Sequence, residues 1–162
     1  MKSLDAYKLM GNNFIVFVLS GIPGSGKSTW CKENYPQLPV VSRDAVRAKL
    51  GYTSSSDEKV VLTNGQENQV TVEEYSQIAK YSKKKQSFIV DDTNSIPRYR
   101  KSLIKTLKDY GAYVIGVNVS TSLENSISRR KGQIDEIIIR KLYERYVPLY
   151  SYEVDELIEF KN

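Results

Sequence analysis

The stretch Phe14-Ile15-Val16-Phe17-Val18-Leu19-Ser20-Gly21-Ile22-Pro23-Gly24-Ser25-Gly26-Lys27-Ser28-Thr29 decides the fold. Its first six residues are apolar without alternation, which reads as a strand buried on both faces, the habit of parallel sheets. Residues Gly21 to Ser28 then fit G-x-x-x-x-G-K-[ST] at every position. Gly24 and Gly26 let the backbone turn tightly and bring successive N–H groups onto phosphate oxygens. A helix starting at Lys27 points its positive dipole end at the same anion. Lys27 adds a full charge for the β- and γ-phosphates, Ser28 is placed to ligate Mg2+, and Thr29 reaches the α-phosphate. Ser25 completes the loop. Trp30 and Cys31 follow and read as packing residues.

Outward from this loop the chain alternates. The first helix, 27–35, stops at Pro36, and a short strand covers 38–42. A helix over 43–50 closes at Gly51. Residues 52–66 are polar, with Ser54-Ser55-Ser56 and Asn64-Gly65, and read as a loop. Apolar residues at helical spacing predict a helix over 70–81, then a strand at 87–91. Pro97 opens a helix that runs to about Tyr110, and 112–119 is the next strand. Two helices follow, 122–130 and 135–146, parted by Gly132 and ended by Pro148. The expected fold is α/β: a P-loop NTPase-type parallel sheet of about four or five strands with helices on both faces. Residues 1–12 read as an N-terminal extension and 13–162 as a single domain.

Composition narrows the chemistry. The 162 residues include no histidine and one cysteine, Cys31. Histidine acid–base catalysis, Ser-His triads and histidine metal sites are excluded, and no disulfide can form within the chain. The polar start lacks the pattern of a signal peptide and the longest apolar run is too short to span a bilayer, so a cytoplasmic location with no membrane partner is expected. Net charge is +5. Between residues 76 and 110 nine basic side chains stand against three acidic ones, whereas the last thirteen residues carry four acidic against one basic. A basic middle suits a polyanion; a solvated charged surface reads the same way.

Ligands of open α/β sheets bind at the carboxyl ends of the strands. One such end carries Ser42-Arg43-Asp44 followed by Arg47. An aspartate there can orient a hydroxyl acceptor and take its proton, with Arg47 holding an anionic group of the acceptor. An N-cap with a surface ion pair is the plainer alternative. The other end carries Asp91-Asp92-Thr93-Asn94, where an acidic residue can hold Mg2+ or its water shell; the residues alone leave open which carboxylate does so. Arg129-Arg130-Lys131-Gly132-Gln133 forms a basic segment between helices, hinged at Gly132 and suited to stabilising charge on a moving phosphoryl group.

Taken together, P-G-S-G-K-S-T-W at 23–30, R-D-x-x-R at 43–47, D-T-N at 92–94, the Arg129/Arg130 region and 134–146 resemble the kinase domain of bacteriophage-type 5′-polynucleotide kinase. The resemblance spans about residues 14–148 and does not include the phosphatase domain. It implies ATP-dependent transfer of the γ-phosphate to a 5′-hydroxyl end of DNA or RNA, a nucleic-acid repair activity. By position, Lys27, Asp44 and Arg130 are the implied catalytic residues. Gly24, Ser25, Gly26, Lys27, Ser28, Thr29, Arg129 and Arg130 are implied to bind ATP, and Arg43, Arg47, Asp92 and Thr93 the acceptor. Ser28 and Asp92 are the implied Mg2+ ligands. Two other functions share these features: a P-loop kinase for another hydroxyl, as in a nucleoside, a small molecule or a hydroxymethylated base, and a non-catalytic nucleotide-binding module.

Overall fold

The computed structural model describes residues 3–9, 14–52 and 62–162. In chain order the elements are α1 (Leu4–Leu9), β1 (Ile15–Ser20), α2 (Lys27–Asn34), β2 (Val40–Val41), α3 (Arg43–Lys49), α4 (Asn64–Lys83), β3 (Phe88–Asp91), α5 (Pro97–Asp109), β4 (Tyr113–Ser120), α6 (Leu123–Arg129), α7 (Glu136–Arg145) and β5 (Glu156–Lys161), with a short 3-10 turn at Ser151–Glu153 before β5. The five strands lie in the order β2-β3-β1-β4-β5, and every pairing is parallel. β1 sits at the centre, with Leu19 beside Asp91 of β3 and Ser20 beside Asn118 of β4. Its carboxyl end therefore opens where the chain departs to either side, the place such sheets bind ligands.

The unbroken apolar run of β1 is buried throughout, as expected for a central parallel strand. Its alternate residues feed two cores. Val16 and Val18 join Ile78 of α4, Phe88, Val90 and the α5 residues Leu103, Ile104 and Leu107. Ile15, Phe17 and Leu19 join Ile89, Tyr7 of α1 and the α2 residues Trp30 and Cys31. Phe17 packs 4.4 Å from Tyr35 and 5.7 Å from Trp30, ring centre to ring centre. Trp30 and Cys31 are thus packing residues. They fix α2 against the sheet, and with it the first helical turn that carries Lys27 and Ser28. Burying a side chain such as Phe17 contributes about 1.5–3 kcal/mol. Among the described residues no helix is long and apolar enough to cross a membrane.

Two sequence expectations need correction, the start of α4 and the exposure of Arg100, and the fifth strand of the expected four or five is located. The helix expected from residue 70 begins at Asn64. Thr63 accepts from the Gln66 N–H while the Gln66 side chain accepts from the Thr63 N–H, and this reciprocal cap outweighs Asn64-Gly65 as a turn signal. Of the polar stretch 52–66, residues 53–61 lie outside the described residues. The acidic end of the chain contains β5, an edge strand in full register with β4 from Ile115 to Ser120. Arg100, counted with the basic surface, is buried. It donates to both Glu153 oxygens at 2.9 and 2.8 Å, to the Asn94 carbonyl at 3.0 Å, to the Pro148 carbonyl at 2.8 Å and to the Val147 carbonyl. This clamp ties the start of α5 to the segment between α7 and β5.

Candidate active site

The loop from Gly21 to Gly26 leaves β1 and turns into α2. Gly24 has φ 81° and Gly26 φ 107°, left-handed values that favour glycine. Space demands glycine at position 24 as well: a Cβ there would come 2.8 Å from the Ser126 carbonyl oxygen, whereas one on Gly26 would meet only the Asn162 side chain, which can move aside. The loop is also tied to the end of β3. The Gly21 N–H donates to the Thr93 carbonyl at 3.0 Å, and Asn94 Nδ2 donates to the Leu19 carbonyl at 2.7 Å.

Lys27 Nζ donates to the carbonyls of Gly21 at 2.8 Å and Ile22 at 3.2 Å. Burial pushes this ammonium below its ordinary value, and Asp91 nearby acts in the opposite direction. Ser28 Oγ donates to Asp91 Oδ2 at 3.2 Å. Burial raises the Asp91 carboxyl, while Lys27 and the Ser28 hydroxyl pull it down. A cleft of 370 Å³ opens above the loop, bounded by residues 24 and 26–29 on one side and by Arg129, Arg130 and Asn162 on the other. Arg129 Nη1 donates to the Gly24 carbonyl at 3.0 Å. Arg130 Nη1 donates to Gln133 Oε1 at 3.0 Å. Asn162 Nδ2 donates to the Ser25 carbonyl at 2.6 Å, and the Ser25 hydroxyl is buried without a hydrogen-bond partner among the described residues.

The second wall is the start of α3. Ser42 is its cap, accepting from the Ala45 N–H at 3.0 Å. Asp44 is therefore spared that role. Its side chain is 95% exposed and accepts from Arg47 Nη1 at 2.9 Å. It lies near enough to Lys27 and Asp91 to raise both electrostatically. Arg43 turns toward α4, where it pairs with Glu67 at 2.7 Å and Glu74 at 3.0 Å and also donates to Thr71 Oγ1 at 3.0 Å. Arg47 reaches Glu67 as well, at 3.3 Å to each oxygen. Asp92 Oδ1 accepts from the Arg43 N–H at 2.7 Å. Burial lifts the Asp92 carboxyl well above its ordinary value, and Glu74 adds to the shift.

The structure thus gathers Gly24, Ser25, Gly26, Lys27, Ser28, Thr29, Arg129 and Arg130 at one cleft, with Asp44 and Arg47 on the adjoining wall. Arg43 faces α4 instead. Asp92 faces the α3 N-terminus, and Asp91 takes the place beside Ser28. Thr93 contributes its carbonyl to the P-loop. Glu67, Glu74 and Asn162 escaped the sequence reading. The signal for the first two was their seven-residue spacing, which sets two acids on one face of α4.

A protein of Autographa californica nuclear polyhedrosis virus, inferred to be a bifunctional polynucleotide kinase/RNA ligase, is 28% identical over 152 residues. The match covers 85% of this chain and 22% of the relative, so the chain spans under a quarter of that protein's length. A chain of the Pnkp1/Rnl/Hen1 RNA repair complex superposes with a TM-score of 0.68 at 20% identity, over 80% of this chain and 43% of that one. A gluconokinase from Sinorhizobium meliloti superposes with a TM-score of 0.55 at 15% identity, over 91% and 82% of the two chains. At these identities the two structures establish the shared fold. The AAA_33 family model, an AAA domain, matches residues 16–136 and so takes in the P-loop, both carboxylate-bearing strand ends, Arg129 and Arg130. The chain belongs to this AAA-domain family and is a P-loop kinase-like domain, with its phosphate-binding loop at the end of β1.

Proposed function

We propose that the chain transfers the γ-phosphate of ATP to a 5′-hydroxyl end of DNA or RNA. The observation that carries this reading is the exposed Asp44 carboxylate, on the wall beside the phosphate cradle and relieved of capping by Ser42. Asp44 takes the proton of the 5′-hydroxyl. The freed oxygen bonds to the γ-phosphorus, the bridging P–O bond to the β-phosphate breaks, and ADP leaves with that electron pair. The loop N–H groups and Lys27 hold the phosphates, while Arg129 and Arg130 offset charge that develops on the transferring group. Ser28 and Asp91 fit Mg2+, a cation that takes one or two protein oxygens alongside substrate phosphates and water. Asp92 acts from beneath, fixing through the Arg43 N–H the turn that carries Asp44. Arg47 engages the acceptor.

The viral relative and the basic stretch of residues 76–110 support a nucleic-acid acceptor in the healing of broken ends; Lys101 and Lys105 of α5 are exposed there. The test uses γ-labelled ATP, Mg2+ and a panel of 5′-hydroxyl DNA and RNA oligonucleotides, with free nucleosides and 5′-phosphorylated strands beside them. Label on 5′-hydroxyl ends alone, lost in Asp44→Asn, is the expected result and names the preferred strand. Label only on small hydroxyl compounds would reassign the acceptor. ATP binding without transfer to any acceptor would reduce the chain to a nucleotide-binding module.

A further inference from the structure

Glu67 bridges the two arginines of the acceptor wall. Its Oε2 accepts from Arg43 Nη2 at 2.7 Å, and both its oxygens accept from Arg47 Nη2 at 3.3 Å. A carboxylate spanning two guanidinium groups occupies ground that suits a phosphate, since both anions use the same planar donors. The partners of the two arginines differ in permanence. Glu74 is 5% exposed, forms its ion pair with Arg43 and also interacts with buried Asp92. Glu67 is 38% exposed and stands in the first turn of α4, so it can swing into water and still face a favourable helix end. Its two contacts to Arg47 are also the longest of the ion-pair contacts described in the network. Arg43 keeps Glu74 if Glu67 leaves, and Arg47 keeps Asp44.

We infer that the Glu67 carboxylate holds the position of an acceptor phosphate and is displaced from Arg47 when that phosphate binds. Glu67 thereby restrains the preference, supplied by Arg47, for acceptors that carry a phosphate over those that do not. The inference rests on the proposed 5′-hydroxyl reading. At such an end the nearest phosphate lies on the 3′ side of the first nucleoside, one sugar away from the hydroxyl that meets Asp44. Without displacement, an incoming phosphate would meet Asp44, Glu67 and Glu74 together, and the repulsion would oppose binding. Arg43 and Arg47 already hold Glu67 below its ordinary value despite the opposing effect of burial, so it remains an anion that must be moved.

The test compares thymidine with thymidine 3′-monophosphate as acceptors for wild-type chain, Glu67→Gln and Glu67→Ala. Melting curves establish that each variant folds. The ratio of KM for thymidine to KM for its 3′-phosphate is expected to rise about three- to ten-fold in Glu67→Gln, the scale of a partly exposed ion pair. In an Arg47→Ala background the rise should vanish. An unchanged or lowered ratio, or a rise that survives Arg47→Ala, would overturn the inference. If the wild-type chain phosphorylates neither compound, the 5′-hydroxyl reading fails, and equilibrium binding of thymidine 3′-monophosphate still decides: tighter binding to Glu67→Gln supports the displacement, while equal, weaker or absent binding overturns it.

Discussion

The two walls of the cleft are made of different materials. The wall proposed for the donor is largely backbone: the glycine turn at Gly24 and Gly26, the start of α2, and the carbonyls of Gly21 and Ile22 that hold Lys27. The wall proposed for the acceptor is side chain: Asp44, Arg47, Arg43, Glu67 and Glu74, joined by ion pairs across α3 and α4. A backbone turn of this kind tolerates little change, because Gly24 and Gly26 hold left-handed φ values and Gly24 has no room for a Cβ beside the Ser126 backbone. An ion-pair wall can be retuned one residue at a time without disturbing the sheet. On the proposed reading, the fold fixes the donor and leaves the acceptor adjustable.

This contrast can be broken first on the donor side. Lys27→Ala should lower transfer by about 10³-fold or more and weaken ATP binding, because it removes a full charge from the transferring phosphates. Unchanged turnover would show that the cradle is idle. On the acceptor side, Asp44→Asn should lower turnover by about 10²–10⁴-fold while ATP binding persists. Weakened ATP binding in that variant would merge the two walls into one. Stability offers a third contrast. The Arg100 side chain has no exposure and its partner Glu153 is 11% exposed, whereas Arg47 is 28% exposed. Arg100→Ala should cost about 3–5 kcal/mol of unfolding free energy in urea titrations, since it strands a buried carboxylate. Arg47→Ala should cost less than about 1 kcal/mol. Equal losses would mean that the acceptor wall is as rigid as the clamp.

The smallest effect concerns Asp92. Its carboxyl is raised above the ordinary 3.8 by burial and by Glu74. The folded chain therefore holds a proton that the unfolded chain releases. The associated stability is fully present below the ordinary value and is lost as pH rises through the raised one. Melting temperatures of the wild type should fall across that window more than those of Asp92→Asn, whose amide oxygen still accepts from the Arg43 N–H. Parallel profiles would refute the raised carboxyl.

What the residues disclosed follows the same division. The run Phe14 to Leu19 and the loop Gly21 to Ser28 announce both the sheet and the donor wall, because backbone chemistry leaves local marks: glycines, a lysine, a buried strand. β5 was hidden because Glu156, Glu159 and Lys161 dilute Leu157, Ile158 and Phe160, as befits an edge strand exposed along one side. The choice between Asp91 and Asp92 is one of strand parity. Asp91 continues the face of Ile89, which packs with Trp30 and Cys31 of α2, and Ser28 belongs to that helix. Parity is written in the sequence, but which helix covers which face is not. Glu67 and Glu74 acquire meaning only when α3 docks on α4, and Arg100 looks like any exposed arginine until the Val147–Pro148 turn closes over it.

The strand order has a consequence for how the molecule comes to exist. Val40 pairs with Ile89, Val16 with both Phe88 and Val114, and Ile115 with Glu156. Even the nearest partners in the sheet are separated by roughly forty positions, so no strand pairing forms without first closing a long loop, and such topologies fold slowly. The central strand acquires its second neighbour only after β4 has been made. On a ribosome the loop at the end of β1 is made before β3 and β4, so the strands that flank it arrive only later.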